Sequence, residues 1–201
     1  MTLLTDEQLM EQLQGGNAGA LDELYRRHAR SLYALCRNLA PASHDAEDLV
    51  QDVFLRVIKS AHTFDPQRAS FRTWLYRIAR NRCIDVARRA SLIRFLPIGR
   101  RAEGDERREE IVAEDGLVDE RQDVEVLAAR ANTIEVVRDC IDRLEHRDEK
   151  QAFLLYYLSG MVYREIGEVL NKSTSMARNR VKAAQEKVKQ CLESKGIDTV
   201  A

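Results

Sequence analysis

The sequence predicts an all-α protein: two small helical domains joined by a flexible acidic linker. Three observations carry that expectation. Glycine and proline are scarce, nine and three in 201 residues, so turns are few and long uninterrupted segments dominate. Apolar residues recur at steps of three and four through most of the chain, the period of an amphipathic helix. Between Ala102 and Arg130 that period gives way to charge. Eleven acids there face four arginines, a net of −7, which suits an extended segment better than a packed one. The expected boundaries are 1–96 for the first domain, 97–130 for the linker and 131–195 for the second.

Each domain is long enough to bury a core of its own. The formal net charge is −1, so only the distribution of charge can speak about partners. The four cysteines, Cys36, Cys83, Cys140 and Cys191, stand 47, 57 and 51 residues apart. They form no C-x-x-C pair and have no histidine at ligand spacing, so a zinc site is not expected. Reduced thiols on helix faces are expected instead. No basic-then-apolar signal opens the chain, and no apolar run approaches the ~20 residues that cross a bilayer. A soluble, cytoplasmic protein without membrane insertion follows. No nucleotide-binding glycine loop or nucleophile–base pair is visible, so neither an enzyme nor a cofactor is expected.

Thr5 and Gln8 form a capping box that starts a short helix bearing Leu9, Met10 and Leu13. Gly15-Gly16-Asn17 breaks it. A longer helix places Leu21, Leu24, Tyr25, His28, Leu32, Leu35 and Leu39 on one stripe, where His28 is expected to be packed rather than functional. Pro41 and Ser43 mark the next stop and start, with Ser43 a candidate N-cap. In DAEDLVQDVFLRVIKSA, Ala46, Leu49, Val50, Val53, Phe54, Val57, Ile58 and Ala61 face the core. Asp45, Asp48, Gln51, Asp52 and Leu55 lie across from them. Acids in a first helical turn, here Asp45, Glu47 and Asp48, complement the helix dipole. That does not account for Asp52, one turn deeper, or for Leu55, apolar on a polar face. An acidic rim around an exposed apolar residue predicts a protein-docking surface.

From Phe64 to Arg89 the chain carries seven arginines (68, 72, 77, 80, 82, 88 and 89) against Asp65 and Asp85, a net of +5. A loop containing Pro66 feeds a helix with Phe71, Trp74, Leu75, Ile78 and Val86 on its apolar side. Arg72, Tyr76, Arg80 and Arg88 are expected opposite, with Arg77 on the flank. Charge of one sign on one face predicts a nucleic acid partner. Pro97 ends regular structure, and the acidic segment regains helical character from Leu117.

In the second domain Ile134, Val137, Ile141 and Leu144 step along one face, and EKQAFLLYYLSG makes a short apolar helix closed at Gly160. VYREIGEVL, a turn at Asn171-Lys172, and a basic helix capped by Ser173 then have the layout of a helix-turn-helix. Ala177, Val181, Ala184 and Val188 face inward, while Arg178, Asn179 and Lys182 point out near the N-terminal half, where a recognition helix meets base edges. Residues 172–189 hold six basic side chains against Glu186, a net of +5.

Taken together, DAEDLVQDVFLRV, FRTWLYRIARNRCIDVARR and YREIGEVL with Arg178 and Arg180 resemble the extracytoplasmic-function (ECF) sigma factors of the bacterial sigma-70 family. The resemblance covers nearly the whole chain. It implies a region 2 helical bundle and a region 4 helix-turn-helix, and a sigma factor that binds core RNA polymerase, directs it to promoters and promotes initiation. Asp45, Glu47, Asp48, Gln51, Asp52 and Leu55 would then meet the clamp helices of the polymerase's largest subunit. The second-largest subunit is a further partner. The loop containing Asp65, Gln67, Arg68 and Ser70 would hold a flipped base of the −10 element. Arg72, Tyr76, Arg77, Arg80, Asn81 and Arg88 would follow the duplex-to-single-strand junction. Ser175, Arg178, Asn179, Arg180 and Lys182 would read the −35 element. Many such proteins are held by an anti-sigma factor, which the resemblance admits as a partner. Ser175-Met176-Ala177 departs from the family's usual Gly-Thr-Val. The rival expectations are an autonomous helix-turn-helix regulator with an N-terminal interaction domain, and an interaction protein with no DNA role.

Overall fold

The computed structural model describes residues 4–41, 44–95 and 124–197, with backbone alone at 92–95 and 124–132. Among the described residues there are eight α-helices, one 3-10 turn and no strand. The first domain contains α1 (Asp6–Gln14), α2 (Gly19–Leu39), α3 (Ala46–Ser60), the 3-10 turn Ala61–Thr63 and α4 (Phe71–Phe95). The second contains α5 (Val124–Asp142), α6 (Arg147–Tyr157), α7 (Tyr163–Leu170) and α8 (Thr174–Ser194). α5 therefore begins inside the stretch expected to be linker; residues 97–123 of that stretch lie outside the described residues.

Helix ends form where local chemistry supplies partners for the unpaired backbone groups. The Thr5–Gln8 capping box opens α1 as expected. Ser43 lies outside the described residues; α3 is capped by Asp45, whose carboxylate accepts the Glu47 N–H at 2.7 Å. Ser70 precedes α4 and its Oγ accepts the Thr73 N–H at 3.2 Å, while Glu7 reaches across from α1 to accept the Phe71 N–H at 3.1 Å. α7 ends on Asn171 at φ 56°, a left-handed turn that asparagine tolerates. Ser173 then caps α8 by accepting the Met176 N–H. A β-carbon on Gly167 would stand 2.8 Å from the Lys172 carbonyl oxygen, so glycine lets this helix-turn-helix close.

α2, α3 and α4 enclose the first core, with α1 laid across α2. Leu24, Leu32, Leu35, Val53, Val57, Phe71 and Leu75 are shut off from water, each side chain contributing about 1.5–3 kcal/mol of transfer free energy. α6, α7 and α8 pack around Leu154, Ile166, Ala177, Val181 and Ala184, and α5 lies on α8. The expected inward set of α8 is buried throughout. His28 is also packed, its ring nitrogen 2.7 Å from Asp6. That hydrogen bond, outweighing burial and helped by Arg27, holds the Asp6 carboxyl below its usual range.

Three expectations are corrected. In α4 the core stripe turns toward Tyr76, Ala79 and Cys83, all buried, leaving Trp74 and Ile78 half-buried at its edge. Tyr76, placed on the polar face from the sequence, is 1% exposed, and its hydroxyl donates to Ser31 Oγ at 2.7 Å. A tyrosine whose polar tip finds a partner can be buried whole. Tyr25 and Ile58, placed in the core, are exposed at 43% and 46%. Finally, Cys140 and Cys191 are disulfide-bonded, whereas Cys36 and Cys83 are free and buried. Packing α5 against α8 closes a gap of 51 residues that spacing alone leaves open.

Candidate nucleic-acid interface

The expected docking face lies on the outer side of α3. Asp45, Glu47, Asp48 and Gln51 are exposed, and Leu55 among them is 52% exposed. Asp52 differs. Its carboxylate takes two hydrogen bonds from Arg82 of α4, whose side chain is only 17% exposed. This ion pair ties α3 to α4, so Asp52 is already partnered within the chain.

The loop before α4 is shaped by its own hydrogen bonds. Asp65 accepts the Gln67 N–H at 2.9 Å, an Asx-type turn. Its other oxygen lies 3.3 Å from Arg68 Nε. Gln67 and Arg68 themselves are exposed, whereas the Ser70 hydroxyl is occupied at the helix cap.

Behind the loop, the α4 arginines diverge. Arg88 and Asn81 are exposed. Arg77 donates to the Glu168 carbonyl oxygen at 2.9 Å, and Arg80 donates to Gln151 Oε1 at 2.7 Å. Arg72 places a guanidinium nitrogen 3.7 Å from where a Gly160 β-carbon would stand. All three partners belong to the second domain. Burial pushes the Arg80 guanidinium below its ordinary value, with Asp148 acting against that shift. Glu165 and Glu168 of α7 line the same cleft as Gln67, Arg68 and Ser70. Arg72, Arg77 and Arg80 of α4 thus lie against α6, α7 and the turn between those two helices, with Arg77 still exposed. Nothing in the local sequence signals this closure, because each partner is 71 or more residues away.

On α8, Ser175, Arg178, Asn179 and Lys182 all project into solvent. Arg180 does not stand with them. It is half-buried, 3.3 Å from Glu149 Oε1, and Lys187 holds the other oxygen at 2.6 Å. Glu149 is 5% exposed. Burial pushes its carboxyl up, yet the Lys187 hydrogen bond and the charges of Lys187, His146 and Arg180 bring it below its usual value. This buried anion ties α6 to α8 and escaped the sequence reading, since an acid in a first helical turn is already accounted for by the helix dipole.

Comparison with known proteins finds matches for both domains. Residues 24–93 match the Sigma-70 region 2 family and residues 134–188 match Sigma-70, region 4. The ECF RNA polymerase sigma factor SigW of Bacillus subtilis is 30% identical over 184 residues, which is 91% of this chain and 94% of that protein. SigE of Mycolicibacterium smegmatis, also an ECF RNA polymerase sigma factor, is 29% identical over 178 residues, 89% of this chain but 63% of that protein's length. The structure of CnrH in complex with the cytosolic domain of CnrY superposes with a TM-score of 0.67 at 25% identity, covering 94% of this chain and 97% of that one.

Proposed function

The chain belongs to the ECF sigma factors of the sigma-70 family, and from that premise we propose how its residues divide the work. It binds core RNA polymerase, directs it to promoters and promotes initiation, and the family assignment favours this over an autonomous regulator. The observation that carries the division of labour is the joint presence of an acidic α3 face with exposed Leu55, a basic α4 behind an exposed loop, and a helix-turn-helix with outward Arg178, Asn179 and Lys182.

Asp45, Glu47, Asp48, Gln51 and Leu55 meet the polymerase clamp, with Asp52 orienting Arg82 rather than serving as a free contact. Gln67 and Arg68 read the −10 element, and Asp65 and Ser70 hold their loop. Arg72, Arg77, Arg80, Asn81 and Arg88 follow the strands once the second domain has moved off α4. Ser175, Arg178, Asn179 and Lys182 read the −35 element, supported by Arg180 on Glu149. The chain acts in the cytoplasm beside the polymerase and leaves catalysis to it. Because CnrH is seen in complex with the cytosolic domain of CnrY, an anti-sigma factor is a further partner.

The test is run-off transcription with core polymerase and a promoter library, with and without the protein. Transcripts should appear only when both are present and should share −10 and −35 sequences. Duplex binding by the chain alone, at palindromic half-sites, would sink this reading in favour of an autonomous regulator.

A further inference from the structure

The Cys140–Cys191 bond ties the C-terminal half of α5 to α8, beside buried Ile141 and the Lys150–Asp142 pair. α5 meets the rest of its domain chiefly through α8. Beside the bond, Lys195 Nζ donates to Asp139 Oδ2 at 2.6 Å, an exposed pair of little strength. Cys140 is 1% exposed and Cys191 is half-buried, so Cys191 is the partner nearer solvent. A disulfide in the compartment where polymerase works is rarely a permanent staple. There the cellular thiols keep most cysteines reduced, and the bonds that form are transient, catalytic or redox-sensing.

We infer that Cys140 and Cys191 form a reversible thiol–disulfide site that clamps α5 onto α8 when oxidised and releases it when reduced; this rests on the proposed action beside polymerase. A low-molecular-weight thiolate attacks the sulfur of Cys191, the less buried of the two. The S–S bond breaks, and Cys140 leaves as a thiolate that takes a proton from solvent. A second thiol cleaves the mixed disulfide on Cys191, so two external thiols become one external disulfide and the chain gains two thiols. The low-molecular-weight disulfide drives the reverse exchange, taking up the same two electrons. Release matters because the bond closes a loop of 51 residues, and losing such a tie frees the helix it holds. Cys36 and Cys83, free and buried in the first domain, are the internal control.

The full chain is equilibrated in glutathione buffers of graded poise, acid-quenched, denatured and labelled with a maleimide. Two labels are expected in the oxidised form and four in the reduced form, with the protected pair mapping to Cys140 and Cys191. Hydrogen exchange on the same samples should show α5 losing protection on reduction while α1–α4 do not change. Cys191→Ser should behave as the reduced form in every buffer, and Cys36→Ser should still switch. Four labels at every poise, a bond mapping to Cys36 and Cys83, or α5 equally protected in both forms would each overturn the inference. None of these measurements contains polymerase. A chain that switches yet supports no transcription in either state would defeat the initiation-factor reading while leaving the exchange itself established.

Discussion

Replacing Tyr76 separates a core aromatic from a residue that stacks on DNA. The ring is 1% exposed, and its hydroxyl donates to Ser31 Oγ at 2.7 Å; Ser31 in turn donates to the His28 carbonyl at 3.2 Å. Tyr76→Phe keeps the ring and removes one hydrogen bond, at a cost of about 1 kcal/mol. Ser31 retains its own acceptor and is half-buried, so its lost partner can be replaced by water. Tyr76→Ala removes the ring as well and should cost about 3–5 kcal/mol, a large part of what a small domain has. The reporter is built in. Trp74 is the sole tryptophan and packs against Phe64 and Phe71 at ring distances of 5.4 and 6.1 Å. Its emission therefore follows the first domain. With a urea slope of about 2 kcal/mol per molar, the midpoint should fall by roughly 0.5 M in Tyr76→Phe and by roughly 2 M in Tyr76→Ala. If Tyr76→Ala unfolds at the wild-type midpoint but no longer opens promoters, the ring works on DNA and the packing argument is wrong.

Asp48→Arg should abolish co-purification with core polymerase while leaving the urea midpoint in place; Asp52→Arg should also lower that midpoint, because it strands Arg82, and retained binding by Asp48→Arg would refute the docking face. Arg178→Ala should weaken use of the preferred −35 sequence by about 1–3 kcal/mol if it pairs with a base edge. Arg180→Ala should instead lower the thermal midpoint of the second domain, and equal losses on all upstream sequences for Arg178→Ala would mean a phosphate contact. Glu149 is ionised more readily in the folded chain than its usual 4.5 allows. The stability it contributes is therefore present above that value and lost as pH falls through the folded pKa. Glu149→Gln should flatten the acid limb of second-domain stability between neutral pH and pH 3, and an unchanged limb would place the effect elsewhere.

What could be read from the sequence was what neighbours in the chain decide. The Thr5–Gln8 box, the Ser173 cap and the Asn171 turn each depend on residues within three or four positions, and all three formed as expected. The inward set of α8 followed from its period. α4 was harder. Its apolar residues cover so broad an arc that Trp74 and Tyr76 compete for the centre, and the contest is decided by Ser31 on another helix. Asp52 looked like a free acid because Arg82 is 30 residues away. The cysteines looked single because only the packing of α5 on α8 brings two of them together. The docking and DNA-reading roles rest on residue type and family pattern.

The closed face of α4 sharpens what its arginines are for. Arg77 and Arg80 give their hydrogen bonds to a backbone carbonyl and a side-chain amide, both neutral acceptors. With one charged partner such bonds contribute about 1.5–3 kcal/mol each at most, and they lack the second charge that phosphate would bring. The contrast with Arg82 is instructive: held by the Asp52 carboxylate, it is a fixed strut between α3 and α4. On that argument DNA phosphates, with the counterion release that accompanies them, displace the second domain from α4 more easily than they displace Asp52 from Arg82. The two classes of arginine on one helix thus differ in partner: a carboxylate for Arg82, neutral groups for Arg77 and Arg80.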